Sequence, residues 1–173
     1  MRYRGHTLSE VLAVLAILAI LAALAVPSLR GPLATAAVHG AANEALAGLA
    51  LARRTALSTA RTTVLCLTRD TWHCDSSGHE WMLFSKQANG TLDRRDAGEQ
   101  LLRRWPLPRG VQISSTRTYA GYLPQTRAAS TVTFTFCHPA ALPATRSVII
   151  SQTGRPRISY LGRPNNPAPS RCP

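Results

Sequence analysis

The feature that most constrains this chain is residues 11–26, sixteen consecutive positions drawn only from Ala, Val, Leu and Ile and closed by Pro27. A helix on the surface of a soluble domain keeps one polar face, and this run has none. Counted from His6 it covers 21 residues, about 30 Å of helix, which matches a bilayer core. Arg2 and Arg4 precede it, so the positive-inside tendency keeps the N-terminus cytoplasmic and sends the remainder outward. The competing reading is an ordinary secretory signal peptide, with Ala23-Leu24-Ala25 as a small-x-small cleavage site. Glu10 separates the two. A carboxylate beside an apolar core costs on the order of 3 kcal/mol on insertion scales and persists where it has a function, which a disposable leader does not provide.

About 145 residues follow the apolar segment, enough for one domain with its own core. Their charge is unevenly spread. Residues 1–99 hold 10 basic and 8 acidic side chains, whereas residues 100–173 hold ten arginines and no acid. Lys86 is the only lysine in the chain. A half-domain of one sign attracts polyanions, nucleic acid first and lipopolysaccharide or acidic phospholipid as competitors.

Four cysteines, Cys66, Cys74, Cys137 and Cys172, in an exported domain point to two disulfides with three possible connectivities. Cys66 and Cys74 flank a polar turn, while Cys137 ends a strand-like run and Cys172 is next to last, which favours 66–74 and 137–172. By loop entropy these contribute about 2.5 and 4 kcal/mol. His73 and His79 lie near the first pair, but the spacing fits no zinc pattern, so neither metal nor cofactor is expected.

After the apolar run, residues 28–62 are alanine-rich, and Leu33, Ala37, Ala41, Ala45 and Leu49 form a helical stripe. Gly31-Pro32 is expected to break this helix early, and Gly40 and Gly48 each weaken it by about 1 kcal/mol. From residue 63 the period changes. Strands are predicted at 63–67, 81–84, 101–105, 111–113, 131–136, 147–151 and 155–160, separated by turn-rich loops. A helix followed by short antiparallel strands is the α+β class. Trp72, Trp81 and Trp105 read as core or turn-packing residues rather than a platform for bases. The expected division is 1–5 leader, 6–27 transmembrane and assembly half-helix, 28–62 amphipathic half-helix, and 63–173 a β-rich head with a basic tail.

Catalysis finds no footing. His73, Asp75, His79 and Glu80 share one loop, but the second half of the chain supplies no acid to complete a catalytic pair, and no phosphate-cradling loop is present. The sharper feature is Gly154-Arg155-Pro156-Arg157. Along a strand Arg155 and Arg157 project to one side, and Pro156 removes a ladder donor and so favours an edge. Guanidiniums on one rim, with Arg163, Arg171 and Arg146 as neighbours, suit phosphate oxygens. The competing reading is a hairpin whose arginines keep an edge strand soluble.

Two stretches carry a family resemblance. Gly5-His6-Thr7-Leu8-Ser9-Glu10 before a long apolar helix resembles the type III signal of type IV pilins and pseudopilins. His6 stands where that family usually has Phe, and Ser9 where it has an aliphatic residue. The resemblance implies that a prepilin peptidase cuts between Gly5 and His6 and N-methylates His6. It further implies that Glu10 pairs with the new amine of a neighbouring subunit. The Gly-Arg-x-Arg at residues 154–157, with the stalk, strand order and cysteines, is similar to the GspH/FimT branch of pilin-like proteins. Within that branch the FimT type comprises minor pilins that bind DNA for natural transformation. The expected fold is thus a long N-terminal helix packed against a small antiparallel β domain. The expected partners are DNA, the major pilin, other minor pilins and prepilin peptidase. The expected location is the bacterial inner membrane, crossed once with the head in the periplasm, then the pilus fibre or cell surface. Two alternatives remain: a type II secretion pseudopilin with a purely structural role, and an exported polyanion-binding protein released by cleavage at Ala25.

Overall fold

The computed structural model describes residues 7–87, 90–124, 129–161 and 169–172, with the side chains of residues 24–28 outside that set. A single helix, α1 (Leu8–Thr59), runs for 52 residues, about 78 Å at 1.5 Å per residue. Thr7 caps it, its hydroxyl accepting from the Glu10 amide at 3.4 Å. Ala60 in the left-handed region (φ 52°) ends it. The early break expected at Gly31-Pro32 does not occur, because α1 continues through Pro27 and Pro32 alike. Each proline forfeits one bond to the preceding turn, and the long helical stretches on either side maintain the ladder cooperatively.

Every large apolar side chain of α1 from Leu8 to Leu21 is exposed, Leu8 at 79%. This half of the helix therefore stands clear of the rest of the chain. Among the described residues no helix is long and apolar enough to cross a membrane. The described apolar side chains end at Ala23, about 20 Å of rise from Val11 and short of a bilayer core. In the sequence the run continues through residues 24–26.

The second half of α1 packs into a head of two four-stranded antiparallel sheets. The first has order β3 (Leu101–Pro106), β2 (Glu80–Ser85), β1 (Thr63–Thr68), β5 (Tyr119–Tyr122). The second has order β4 (Gln112–Ser115), β6 (Val132–Cys137), β7 (Arg146–Ile150), β8 (Pro156–Tyr160). β5 was invisible to periodicity, because Ala120-Gly121 has little strand preference of its own and takes its conformation from pairing with β1. A 3-10 segment, Pro139–Ala144, packs Ala141 and Ala144 on Ala34 of the helix.

One core serves helix and sheets together. Val38, Ala41, Ala45, Leu49 and Ala52 of α1 meet Leu65, Trp81 and Leu83 of the first sheet and Phe134, Phe136 and Val148 of the second. The predicted stripe holds at Ala41, Ala45 and Leu49, and departs at its start, where Ala34 and Val38 are buried while Leu33 is 65% exposed. Trp81 stands edge-on to Phe134 across the sheets at 5.1 Å, a geometry that adds about 1 kcal/mol to the burial itself. Trp105 lies beside Trp81 at 6.1 Å, and Trp72 stays on the surface under the Arg95 guanidinium, 4.1 Å from its ring.

The other face of the first sheet, with Val64, Met82 and Phe84, is covered by two loops, the β1–β2 loop with Cys74 and the β2–β3 loop with Leu92. Cys66 and Cys74 are joined there, their Cα atoms 5.5 Å apart. Lys86 fastens the second of these loops. Its ammonium is buried and donates to Asp96 (2.8 Å), Glu99 (3.1 Å) and the Arg94 carbonyl (2.8 Å). The Lys86 hydrogen bond is the main cause holding the Asp96 carboxyl below its ordinary range. The stability this contributes is present above the unfolded carboxylate range near pH 4 and is lost as pH falls through the depressed value.

Two predictions follow from this packing. A Cβ on Gly48 would meet the Trp105 ring at 2.8 Å, whereas one on Gly40 meets nothing within 4 Å. Gly40→Ala should therefore raise stability by up to about 1 kcal/mol, and Gly48→Ala should lower it despite the better helix former; urea unfolding of the two variants gives opposite signs. Lys86→Met, which leaves Glu99 buried without its cation, should cost about 3 kcal/mol and remove the part of the acid-induced loss of stability that Asp96 contributes, both readable from denaturation midpoints across pH.

Candidate nucleic-acid interface

The hairpin of β7 and β8 carries residues 154–157. Gly154 adopts φ 71°, a left-handed backbone that glycine enters freely, and its amide donates to the Ser151 carbonyl at 2.9 Å. That turn sets Arg155 just ahead of β8 and lets Pro156 open the strand opposite Ile150. β8 is the edge of its sheet, where a missing amide leaves no ladder bond unmade.

Register decides which way the arginines face. Ile158 lies opposite Val148 and packs on the shared core, so Arg157, one residue earlier and opposite Ile149, is on the outer face. Arg155 and Arg157 are both exposed. Neither has a hydrogen-bonding or ion-pairing partner among the described residues.

The same outer face carries a row that periodicity did not single out. Ser114, Thr135, Ser147 and Ser159 are successive cross-strand partners over all four strands, and the Thr135 and Ser147 hydroxyls are 2.9 Å apart. The available signal was hydroxyl residues recurring at period two opposite the core positions. Cys137, on this face too, is joined to Cys172 with Cα atoms 5.6 Å apart. The bond draws residues 169–172 over the sheet, so Arg171 shares a surface hollow with Ser114, Thr135 and Leu161. Arg163 lies outside the described residues.

Arg146 faces the other way. It pairs with Phe136 in register, donates to the Ala144 and Thr145 carbonyls at 3.1 Å each, and stacks 4.6 Å from the Tyr160 ring. It shares a cavity against the helix with His39 and Asn43. Burial first, then the Arg146 charge, lowers the His39 pKa. Grouping Arg146 with the outer arginines is thus corrected by the pleat: it is on the helix side of the sheet.

The carboxylates are occupied elsewhere. Asp75 meets Arg69 (2.9 Å), Asp96 meets Lys86 and Arg94, Asp70 meets His73 (2.6 Å), and Glu80 meets Arg104. Asp70 is held well below the usual carboxylate range, first by the His73 amide, then by its ring and the Trp72 amide. The crowded loop of His73, Asp75, His79 and Glu80 is accordingly built from local turns and ion pairs. Among the described residues of the second half, Arg104 alone meets a carboxylate. At the far end, Glu10 lies in the first turn of α1 beside Val11, Val14 and Leu15. Gly5 and His6 lie outside the described residues.

Known proteins match this arrangement at two levels. Residues 41–154 match the model of the type II transport protein GspH, and residues 1–26 match the prokaryotic N-terminal methylation motif. No curated protein matches the chain. Among solved structures, the type IV minor pilin FimU of Pseudomonas aeruginosa is similar with 21% identity and a TM-score of 0.54, covering 78% of this chain and 99% of that one. The minor pseudopilin EpsH of the Vibrio cholerae type 2 secretion system is similar at 14% identity and a TM-score of 0.53, covering 71% of this chain and 96% of that one. Identities this low establish the fold, a pilin-like helix with two antiparallel sheets. The family rests on the match across the head together with the methylation motif: this chain belongs to the GspH family of pilin-like type II transport proteins.

Proposed function

We propose that this chain is a minor type IV pilin that binds extracellular double-stranded DNA without sequence preference, for uptake in natural transformation. The observation that carries the reading is the β7–β8 hairpin, an open sheet edge with exposed Arg155 and Arg157 and, among the described residues, no carboxylate paired with them. Arg171, and Arg163 from the tail, add charge for phosphate contact. The role is binding and assembly, without catalysis or cofactor.

The N-terminal part of the reading follows the methylation motif. Prepilin peptidase removes residues 1–5 after Gly5 and methylates His6. The half-helix 6–27 then holds the chain in the inner membrane with its head in the periplasm, and later packs among the major and other minor pilins of a fibre. Glu10 pairs with a neighbour's terminal amine at the same depth, where an unneutralised charge costs most. The exposed apolar side chains of this half need such a non-aqueous covering in either setting.

A second reading has a specific observation behind it. The GspH description and the EpsH likeness favour a type II secretion pseudopilin, a structural subunit that never meets DNA. The two readings differ in salt-dependent binding. With about four phosphates contacted, the slope of log affinity against log salt is near −3.5. Arg155→Ala with Arg157→Ala should weaken binding to all sequences alike and flatten the slope by about two; unchanged gel-shift affinity in that double variant sinks the DNA reading, and no DNA retention by the wild type at low salt favours the pseudopilin. The mass of the mature chain checks the leader: loss of residues 1–5 supports the pilin, loss of residues 1–25 an exported soluble protein.

A further inference from the structure

On the helix side of the sheet edge, Pro156 of β8 faces the end of α1 across a groove lined by Ala50, Arg53, Arg54, Leu57 and Ser58. Its floor is apolar, with Leu57 45% exposed, and its helical wall carries two adjacent guanidiniums. Arg54 is exposed and Arg53 half-buried. The Arg53 Nε is buried with no hydrogen-bond partner among the described residues. The nearby Tyr122 hydroxyl is buried and unpartnered likewise. Burial pushes that phenol up to about 12, against the opposing charge of Arg53. No Asp or Glu occurs between Glu44 and Asp70, so the helix supplies no acid to this wall. A half-buried guanidinium with no carboxylate beside it is costly to hold, and an anion seated in the groove against the accessible part of Arg53 would lower that cost.

Pro156 is flanked in the chain by Arg155 and Arg157, which puts the groove and the exposed arginines on the two sides of one open edge. We propose that α1 supplies a second arginine wall to the DNA site: Arg53 and Arg54 take phosphate oxygens of the same backbone that Arg155 and Arg157 contact, and the strand crosses the edge of β8 between them. This inference rests on the DNA-binding reading above. The apolar floor accepts the sugar faces between phosphates, and two-sided guanidinium contact fixes the path of the backbone rather than reading its bases. These two arginines come from the near-neutral half of the chain, so the DNA footprint is not confined to the basic half.

The test uses the processed full-length chain in detergent and a fluorescently labelled mixed-sequence duplex, with anisotropy followed across a salt series. R54Q, on an exposed side chain, should flatten the log–log salt slope by about 0.9, and R53Q/R54Q by about 1.8. R54K should restore the slope. R69Q, which removes the same net charge from an arginine already paired with Asp75, should leave the slope unchanged. If R155Q/R157Q flattens the slope and R54Q does not, the second wall is refuted while the DNA reading stands. If the helix variants flatten it and the hairpin variants do not, the groove stands and the hairpin assignment falls. A wild-type chain that does not bind the duplex refutes both. A parallel titration with phosphatidylglycerol vesicles supplies the last arm: R54Q weakening vesicle binding with the DNA slope intact assigns the groove to lipid and overturns the proposal.

Discussion

The structure depends on the small-residue face of α1. Ala41, Ala45 and Ala52 are fully buried, and a side chain of one methyl lets two separate sheets reach the same helix. With larger residues there, each sheet would stand off and the shared core would open into cavities, which interiors close-packed like crystals do not tolerate cheaply. Gly48 takes this furthest, since the Trp105 ring occupies the space a Cβ would need. Trp81 and Phe134 then close the seam between the sheets. The position of β8, and with it of every residue in the basic hairpin, follows from Ile158 docking into that core.

The two sheets handle charge differently. Over the first, the Cys66–Cys74 bond holds one loop and the buried Lys86 another, and in both acids and bases neutralise one another at contact distance. Over the second sheet the Cys137–Cys172 bond holds residues 169–172, which carry Arg171 and no acid. Exposed charges more than about 10 Å apart are largely screened at ordinary salt, so acids in the loops over one sheet do little to cancel arginines on the face of the other. Arg155 and Arg157 therefore keep their charge at the open edge of the second sheet, which is the arrangement that draws a polyanion to a defined place.

How much of this was legible depended on whether a feature is local. The apolar run, the strand at residues 131–136 and the turn at Gly154 each announce themselves within a few residues, through uniform hydropathy, clean alternation and a glycine where the backbone turns left-handed. β5 did not, since its conformation comes from β1 rather than from Ala120-Gly121. The predicted stripe of α1 held at Ala41, Ala45 and Leu49 and failed at Leu33, because alanine is compatible with burial and exposure alike and only the sheets select which positions near the start of the head face them. The expected break at Gly31-Pro32 failed for a related reason: local preference is small beside the cooperativity of a long helix.

By itself the sequence determined the long helix, the α+β class, the family motif at Gly5 and Glu10, and the separation of acids from arginines along the chain. Only the tertiary structure decided where those arginines go. Arg157 faces outward and Arg146 inward, because the pleat alternates and Val148 had to be buried. Arg53 and Arg54, a century of residues before the hairpin in the sequence, face Pro156 because the helix and the sheet edge share one core. Linear spacing carries no information about such neighbours; the burial of apolar surface brings them together.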